Sequence, residues 1–161
     1  MNEDLLFMID EQSDENPEYQ EEMIDSKDYI IFSTDDLQFG INVNNVVEII
    51  TSYATTYLPM LPEYIRGIIN LRGSMVPIVD IRLRLGKMSK EDCNVIVLEI
   101  DGTQIGILVD SVEQLINIPD RDILPMPAHS VQKLVSGMCS LPDGSGTMLV
   151  FDCEQLISHE Y

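Results

Sequence analysis

The chain has 161 residues, with 28 Asp or Glu against nine Lys or Arg, so its net charge at pH 7 is −19. A field of that sign repels phosphate backbones and acidic lipid surfaces, which excludes nucleic acid as a partner. Hydrophobic residues make up 45% of the chain, enough for a packed core, but no apolar run approaches the ~18 residues of a membrane-spanning helix. Because the first residues are acidic rather than basic, we expect a cytoplasmic protein without a signal peptide and without direct membrane insertion.

The acidic residues are concentrated at the start of the chain, where residues 1–28 contain eleven Asp or Glu and one Lys. Like charges repel, and the segment lacks the apolar periodicity that would offset the entropy lost on ordering. Residues 1–27 are therefore predicted to form a disordered acidic tail that precedes a folded domain at residues 28–161. The apolar run in this tail, residues 5–9, is interpreted either as a short fraying element or as a docking peptide for a partner.

The folded domain opens with an apolar run, Tyr29–Phe32, followed by a turn at residues 35–36 and an alternating segment at residues 38–43. Alternation with a period of two predicts a half-buried strand, so we expect a β-hairpin. The same pattern returns at residues 95–109, which align with residues 29–43 at an offset of 66 without a gap. The domain is therefore predicted to be one β-rich unit present in two copies.

The two copies extend over about residues 29–90 and 95–157. Gly40 and Gly106 stand at the same position of a predicted strand in each copy. Glycine destabilises a strand interior and is typical of a bulge, a barrel corner or the close approach of another backbone. Its presence in both copies favours a small, strongly curved barrel.

A short helix is predicted after each of these hairpins. Asn44 and Asp110 occupy the same repeat position, and both residue types are good helix N-caps. The residues that follow have apolar side chains at i, i+3 and i+4 spacing, which is typical of one face of a helix. These residues are Val46, Ile49 and Ile50 in the first copy and Val112, Leu115 and Ile116 in the second. We expect each face to close one end of a barrel.

A second hairpin follows in each copy. Its turn is predicted at residues 72–73 in the first copy and at residues 144–146 in the second. Asp80 and Asp152 close the matching strands and suit helix N-caps, and Asp152 introduces a short terminal helix at about Glu154–Ser158. Strand pairs at short spacing with little helix predict an all-β fold of two small antiparallel barrels.

No residue pattern indicates catalysis, metal binding or a cofactor. The two histidines, His129 and His159, lie in a predicted loop and near the chain end, outside any nucleophile motif. Cys93, Cys139 and Cys153 are far apart, so neither a metal site nor a disulfide framework is expected. The competing enzyme hypothesis is a small hydrolase that uses Cys139 or Cys153 with His129.

Glu48 and Arg72 are the charged residues with the most informative positions. Glu48 is the lone charge in the apolar stretch 46–50, and Arg72 sits in a glycine-flanked turn. The stretch either closes a barrel end or presents Val47 and Glu48 to a partner. If Glu48 and Arg72 share a surface, the acid would hold the guanidinium fork in place for recognition.

Short motifs follow one another in a characteristic order along the domain. They are Val46-Val-Glu-Ile-Ile50, Leu58-Pro59, Pro62, Arg66-Gly-Ile-Ile-Asn-Leu-Arg-Gly73, Val76-Pro-Ile-Val-Asp-Ile-Arg82, Gly106-Ile-Leu-Val-Asp-Ser-Val112 and Ile123-Leu-Pro-Met-Pro127. In this order and with these gaps, the chain resembles CheW-type chemotaxis coupling proteins from about Lys27 to Ile157. Related domains occur in CheA and CheV, but 161 residues leave room for neither a kinase nor a receiver domain.

The resemblance implies a fold of two SH3-like five-stranded β-barrels with segments exchanged between them, in agreement with the repeat. It implies a non-enzymatic adaptor that needs no cofactor and works in arrays at the membrane. The implied partners are the cytoplasmic tip of methyl-accepting chemoreceptors and the regulatory domain of the histidine kinase CheA. The alternative is a CheW-like scaffold of another CheA-type pathway, such as twitching motility.

The resemblance also implies a receptor-binding site. The residues at the receptor-sensitive positions of the family are Val46, Glu48, Gly67 and Arg72. In the family the acid pairs with the arginine. The receptor tip is a helical hairpin, so we expect it to dock in a groove between the barrels, with Val43, Val46 and Ile49 as the apolar candidates. The stretch at residues 128–135 is shorter than the family pattern, so the residues of kinase and ring contacts are left open.

Overall fold

The computed structural model describes residues 24–91, 93–127 and 133–158. Most of the predicted acidic tail, including residues 5–9, lies outside the described residues. His129 and His159 also lie outside them.

The described residues form eleven strands and two short α-helices. The strands are β1 (Ser26–Thr34), β2 (Leu37–Asn42), β3 (Val46–Ile50), β4 (Ile65–Leu71), β5 (Ser74–Asp80), β6 (Asn94–Ile100), β7 (Thr103–Val109), β8 (Ser111–Pro119), β9 (Leu124–Pro125), β10 (Val135–Ser140) and β11 (Thr147–Phe151). The helices are α1 (Ile81–Arg84) and α2 (Cys153–Ile157), and 3-10 turns cover Val43–Asn45 and Asp120–Asp122. The all-β prediction is confirmed, and β1 includes the last two residues of the predicted tail.

The strands form two sheets that each combine both copies of the repeat. Sheet A has the order β8-β1-β2-β11-β10-β9, and sheet B has the order β3-β6-β7-β5-β4. Strands β1 to β5 come from the first copy and β6 to β11 from the second. Each sheet therefore takes its first hairpin from one copy and its other strands from the other copy. This is the predicted exchange of segments between two five-stranded SH3-like barrels, with the two-residue β9 as a sixth strand in sheet A.

One parallel strand pair joins the two copies within each sheet. In sheet A, β2 pairs with β11 at Gly40 and Val150, and in sheet B, β5 pairs with β7 at Ile78 and Gly106. A methyl group on Gly106 would lie 2.5 Å from Ile78 Cδ1, and one on Gly40 would overlap Met148 Sδ. Both glycines therefore leave room for side chains of the neighbouring strands, and neither hairpin pairing shifts register at its glycine. The predicted bulge and the predicted close approach of another backbone are both absent at these positions.

Three apolar clusters hold this arrangement together. One cluster lies within each sheet, and the third contains residues of both sheets. In the third cluster Phe32 stacks on Phe39 with ring centroids 5.3 Å apart, and Phe151 meets both rings edge-on. Such aromatic pairs add about 0.5–1.5 kcal/mol each beyond the burial of their area. Because Phe151 belongs to the second copy, this cluster also binds the copies to each other.

The helices predicted after the first hairpins are absent, because both stretches are strands. Residues 46–50 form β3, and residues 112–116 lie in β8. The pairing of β3 with β6 shifts register between Val46 and Glu48, and the pairing of β8 with β1 contains an equivalent shift. A bulge inserts one residue, so side chains three apart return to the same face of the sheet. The spacing that suggested a helix therefore comes from a bulged strand.

Two of the four predicted helix caps are present. Asp80 caps α1 and Asp152 caps α2, each by accepting backbone hydrogen bonds, and α2 begins one residue earlier than predicted. Asn44 and Asp110 cap no helix, and Asn44 lies inside a 3-10 turn that is capped by Asn42. Hairpin turns are present at all three predicted places, residues 35–36, 72–73 and 144–146.

A buried arginine connects the two sheets. Arg82 follows β5 of sheet B and is 5% exposed. Its guanidinium donates two hydrogen bonds to the carboxylate of Asp110, one of them 2.9 Å long, and one of 2.5 Å to Asp35 Oδ1. Asp35 lies in the first turn of sheet A, and Asp110 lies where the chain crosses from β7 to β8. The end of sheet B is therefore fixed to sheet A at this junction.

Neighbouring groups compensate the burial of these charges. Asp80 is 1% exposed and accepts hydrogen bonds from Arg66 and from the backbone N–H of Arg82. Burial raises the pKa of the Asp110 carboxyl, but the hydrogen bonds from Arg82 and from the backbone N–H of Asp35 outweigh burial and leave that pKa below its ordinary value. Asp110 is therefore ionised at neutral pH and matches the charge of Arg82.

Replacing Arg82 by Met should lower the free energy of unfolding by about 3–5 kcal/mol, because the carboxylates of Asp35 and Asp110 would lose their buried partner. Urea unfolding followed by circular dichroism measures the change. Arg121→Met is the matched control, since the Arg121 side chain is 68% exposed; it should change stability by less than about 0.5 kcal/mol. Equal effects from the two substitutions would contradict the role given to Arg82.

Candidate partner-binding site

The site starts at the β4–β5 turn of sheet B. Arg72 has a φ of +53° and Gly73 a φ of +87°, a left-handed pair typical of a two-residue hairpin turn. The side-chain oxygen of Asn70 accepts a hydrogen bond from the backbone N–H of Gly73 at 2.9 Å, which fixes the turn. The turn carries Arg72 at its tip, with 77% of the side chain exposed.

An ion pair connects this turn to β3, which lies at the opposite end of the sheet B strand order. Arg72 Nη1 donates to Glu48 Oε1 at 2.9 Å, and Nη2 donates to Oε2 at 3.4 Å. The Glu48 side chain is only 26% exposed, so its carboxylate is partly shielded from water. The predicted pairing of Glu48 with Arg72 is present, and two parallel bonds fix the plane of the guanidinium.

Two of the apolar candidates, Val46 and Ile49, point to the face of β3 opposite to Glu48. Val46 is paired with Leu98, and Ile49 is paired with Ile96. Leu98 and Ile96 belong to the apolar cluster between the sheets. Because directly paired residues share a face, Val46 and Ile49 point to the side of that cluster, whereas Glu48 points to the opposite face. Ile49 keeps 40% of its surface exposed, so it stands at the edge of the space between the sheets.

Val43 and Val47 complete the group of residues around β3. Val43 is half-buried in the 3-10 turn directly before the strand. Val47 lies at the bulge and is 40% exposed. The structure therefore places five of the six predicted residues on β3 or beside it; they are Val43, Val46, Glu48, Ile49 and Arg72.

Gly67, the sixth predicted residue, is a buried backbone position. It has a φ of +149° in β4, and an added Cβ would lie 2.6 Å from the carbonyl oxygen of Thr56 and 2.5 Å from Thr55 Cγ2. Thr56 in turn exchanges two backbone hydrogen bonds of 2.9 Å with Ile68. Gly67 therefore allows the segment between β3 and β4 to pack against β4, the strand that leads to Arg72.

Replacing Gly67 by Ala should lower the free energy of unfolding by about 2–5 kcal/mol, because the new methyl group meets backbone atoms at an unfavourable φ. Gly146→Ala is the matched control: its φ is +148°, but the one atom near an added Cβ is Gln38 Oε1 at 3.4 Å. The control isolates the conformational cost, about 1–3 kcal/mol. Thermal and urea unfolding compare the two variants, and a Gly67→Ala variant as stable as Gly146→Ala would refute the steric explanation.

An exposed apolar segment between β3 and β4 was missed by the sequence reasoning. Tyr57 is 75% exposed and Met60 is fully exposed, with Leu58 and Leu61 more than a third exposed. Large apolar side chains clustered at the surface are typical of contact sites. The signal in the sequence was a run of apolar residues between prolines, without the periodicity that would bury them in a strand or helix.

Among the described residues we looked for a metal-ligand cluster and for an activated thiol. In the part of the chain that the structure describes, no three His, Cys, Asp or Glu side chains are placed to hold a metal ion. Burial raises the pKa of Cys93 and Cys139, and it raises that of Cys153 to about 11. Such thiols stay protonated at neutral pH and are weak nucleophiles. The hydrolase hypothesis therefore lacks an activated thiol, and its base, His129, lies outside the described residues.

Neither described helix has the length and apolar character that a membrane crossing needs.

A family model, curated relatives and a solved structure were compared with the chain, and their results agree. The family model for the CheW-like domain matches residues 28–161, which include both copies of the repeat. Chemotaxis protein CheW from Rhizobium meliloti is 38% identical over 104 residues, 63% of this chain and 67% of that protein. Protein FrzA from Myxococcus xanthus is 30% identical over 107 residues, 63% of this chain and 65% of that protein. The crystal structure of the scaffolding protein TtCheW from Thermoanaerobacter tengcongensis has a TM-score of 0.72 at 30% identity and covers 79% of this chain and 89% of that chain.

Proposed function

Because the chain belongs to the CheW-like domain family, we propose that it is a non-enzymatic adaptor that couples methyl-accepting chemoreceptors to the histidine kinase CheA. In this role the chain works in the cytoplasm, in association with membrane-bound receptor arrays, and needs no cofactor. The observation that carries the proposal is the Glu48–Arg72 ion pair, at the two positions to which the family resemblance assigns receptor binding.

The ion pair is better suited to recognition than to stability. Arg72 is largely exposed, so the pair contributes only about 0.2–1 kcal/mol to folding. Its geometry instead presents a planar guanidinium in one orientation at the surface of sheet B. A partner with carboxylate or carbonyl oxygens binds such a group without first ordering a flexible side chain, which lowers the entropic cost of association.

The apolar residues of β3 supply the second part of the receptor contact. We place the helical hairpin of the receptor tip along the edge of the space between the sheets, with its apolar stripe against Val43, Val46 and Ile49. Arg72 then contacts a polar edge of the hairpin from the other face of β3. Contacts in signalling assemblies are modest in area, so a few anchor residues of this kind dominate the affinity.

Coupling requires that the receptor and the kinase bind at the same time. The regulatory domain of CheA must therefore use a surface that the receptor leaves uncovered. This requirement separates the two interactions experimentally, because a substitution on the β3 site should affect one partner and spare the other.

Arg72→Ala is expected to weaken binding of a soluble receptor-tip fragment at least about tenfold, which corresponds to about 1.4 kcal/mol. The free energy of unfolding should change by less than about 1 kcal/mol, since the lost ion pair is exposed. Titration calorimetry with the receptor fragment measures the first effect, and binding of the CheA regulatory domain, which should stay unchanged, is measured in parallel.

Arg121→Ala is the matched control, because it removes another largely exposed arginine, from the 3-10 turn Asp120–Asp122. It should leave both interactions unchanged. If Arg72→Ala and Arg121→Ala bind the receptor fragment equally well, the β3 site is not the receptor site. If the wild-type chain binds neither the receptor fragment nor the CheA domain, the proposed function itself is wrong.

A scaffold of another CheA-type pathway, such as twitching motility, is the second candidate function. The likeness to protein FrzA, whose name is not that of a chemotaxis CheW, favours this candidate. Deleting the gene and measuring spreading on swim plates separates the two. Loss of directed spreading with intact swimming supports chemotaxis, whereas normal spreading with a defect in surface motility supports the second candidate.

A further inference from the structure

Positive charge is concentrated in one part of this acidic chain. Residues 66–90 contain six of the nine Lys and Arg residues and a single acid, Asp80. Residues 1–23 contain nine acids and no Lys or Arg. The two segments attract each other electrostatically, whereas most other parts of the chain repel the acidic segment.

Arg84 differs from the other five cations of this group in its ion pairing. The cations that have an ion-pair partner are Arg66, Arg72, Arg82, Lys87 and Lys90. Arg84 makes no ion pair within the described residues. Its guanidinium carbon lies 4.9 Å from the centroid of the Tyr64 ring, and Nη2 donates a long hydrogen bond of 3.5 Å to the backbone oxygen of Gln155. The charge of Arg84 is therefore available to an acidic group.

An apolar cleft lies next to Arg84. Tyr64, the residue under the guanidinium, forms part of its wall. The other apolar residues that line the cleft include Ile65, Val79, Ile105, Leu156 and Ile157. Its volume is about 500 Å³, within the range of pockets that bind ligands. The cleft therefore combines an apolar interior with a cation at its rim, and the β3 site does not use it.

The acidic segment contains a sequence that complements this cleft. The apolar run Leu5-Leu-Phe-Met-Ile9 is preceded by Glu3 and Asp4 and followed by Asp10 and Glu11. Apolar side chains flanked by acids match an apolar cleft with a cationic rim in both polarity and charge. The proposed adaptor function gives this run no role.

The chain between the run and the folded domain is long enough for the contact. Fourteen residues, 10–23, separate the run from the first described residue. Fully extended, they span up to about 46–50 Å. A folded domain of this size is about 35 Å across, from the usual scaling of the radius of gyration. The linker is therefore longer than the width of the domain and reaches most of its surface.

We propose that residues 3–11 bind back onto the folded domain of the same chain, with Leu6 and Phe7 in the cleft at Tyr64 and flanking acids beside Arg84. The tether gives the segment an effective concentration of about 1 mM, so a weak intrinsic affinity is enough to keep the cleft occupied. The contact is independent of receptors and kinases and therefore of the proposed function.

Hydrogen exchange of the full chain at low salt, followed by mass spectrometry, tests the contact. Backbone amides of residues 5–9 should exchange about tenfold more slowly in the wild type than in Arg84→Glu, for a site with an affinity of about 0.1 mM at that effective concentration. Arg121→Glu makes the same change of charge at an exposed arginine that does not line the cleft, and it should keep the wild-type rate.

Phe7→Ser provides a second variant, because it lies outside the described fold and is not expected to disturb it. It should shift the methyl resonances of Ile65 and Ile105 at the cleft and leave those of Ile118, buried in sheet A, in place.

Three results would overturn the proposal. The first is exchange of residues 5–9 in the wild type at the rate of an unprotected peptide. The second is protection that increases with protein concentration, because the segment would then occupy the cleft of a neighbouring copy. The third is equal loss of protection in Arg84→Glu and Arg121→Glu, because net charge rather than Arg84 would then be the cause.

Discussion

The exchange of strands between the two repeat copies is the constraint on which the rest of the structure depends. Neither copy completes a sheet by itself, because each first hairpin finds its neighbours in the other copy. A single copy would leave long strand edges unpaired, which favours aggregation over folding. Gly40 and Gly106 lie where the copies meet as parallel strands. The chain is therefore expected to fold as one cooperative unit.

This fold has internal symmetry, but its surfaces do not. At the junction between the sheets, Arg82 pairs with Asp35 and Asp110, whereas the equivalent position in the second copy is Glu154, which has no such pair among the described residues. The repeat counterpart of Glu48 is Gln114, and that of Arg72 falls on Pro142. Gln114 and Pro142 carry no charge, so they cannot form an ion pair. A duplicated fold with one copy of each surface suits a protein that joins unlike partners.

The sequence predicted the parts of the fold that local patterns determine. Hairpin turns at glycine and aspartate, and caps at Asp80 and Asp152, follow from chemistry within a few residues. The repeat alone gave two barrels, and the family resemblance added the exchange of segments between them. The helix predictions after the first hairpins were wrong because a β-bulge changes the apolar spacing in a strand from two residues to three at one point. The sequence does not mark where a bulge lies.

The candidate site was predictable only in part for a similar reason. The sequence motifs predicted that Glu48 and Arg72 pair, and in the structure their side chains are hydrogen-bonded. The burial of Gly67 depends on a segment that folds back over β4, and the Arg82 junction depends on partners 28 and 47 residues away in sequence. Contacts of that range follow from the strand order, which no local pattern determines.

The most direct test of the bridging role is the rate of CheA autophosphorylation on membranes that contain chemoreceptors, with and without the purified chain. The account predicts that the rate rises when receptor, kinase and chain are all present, and that it stays at the level of the kinase alone when either the receptor or the chain is left out. A rate unchanged by the chain, or one that rises equally without receptor, would contradict it.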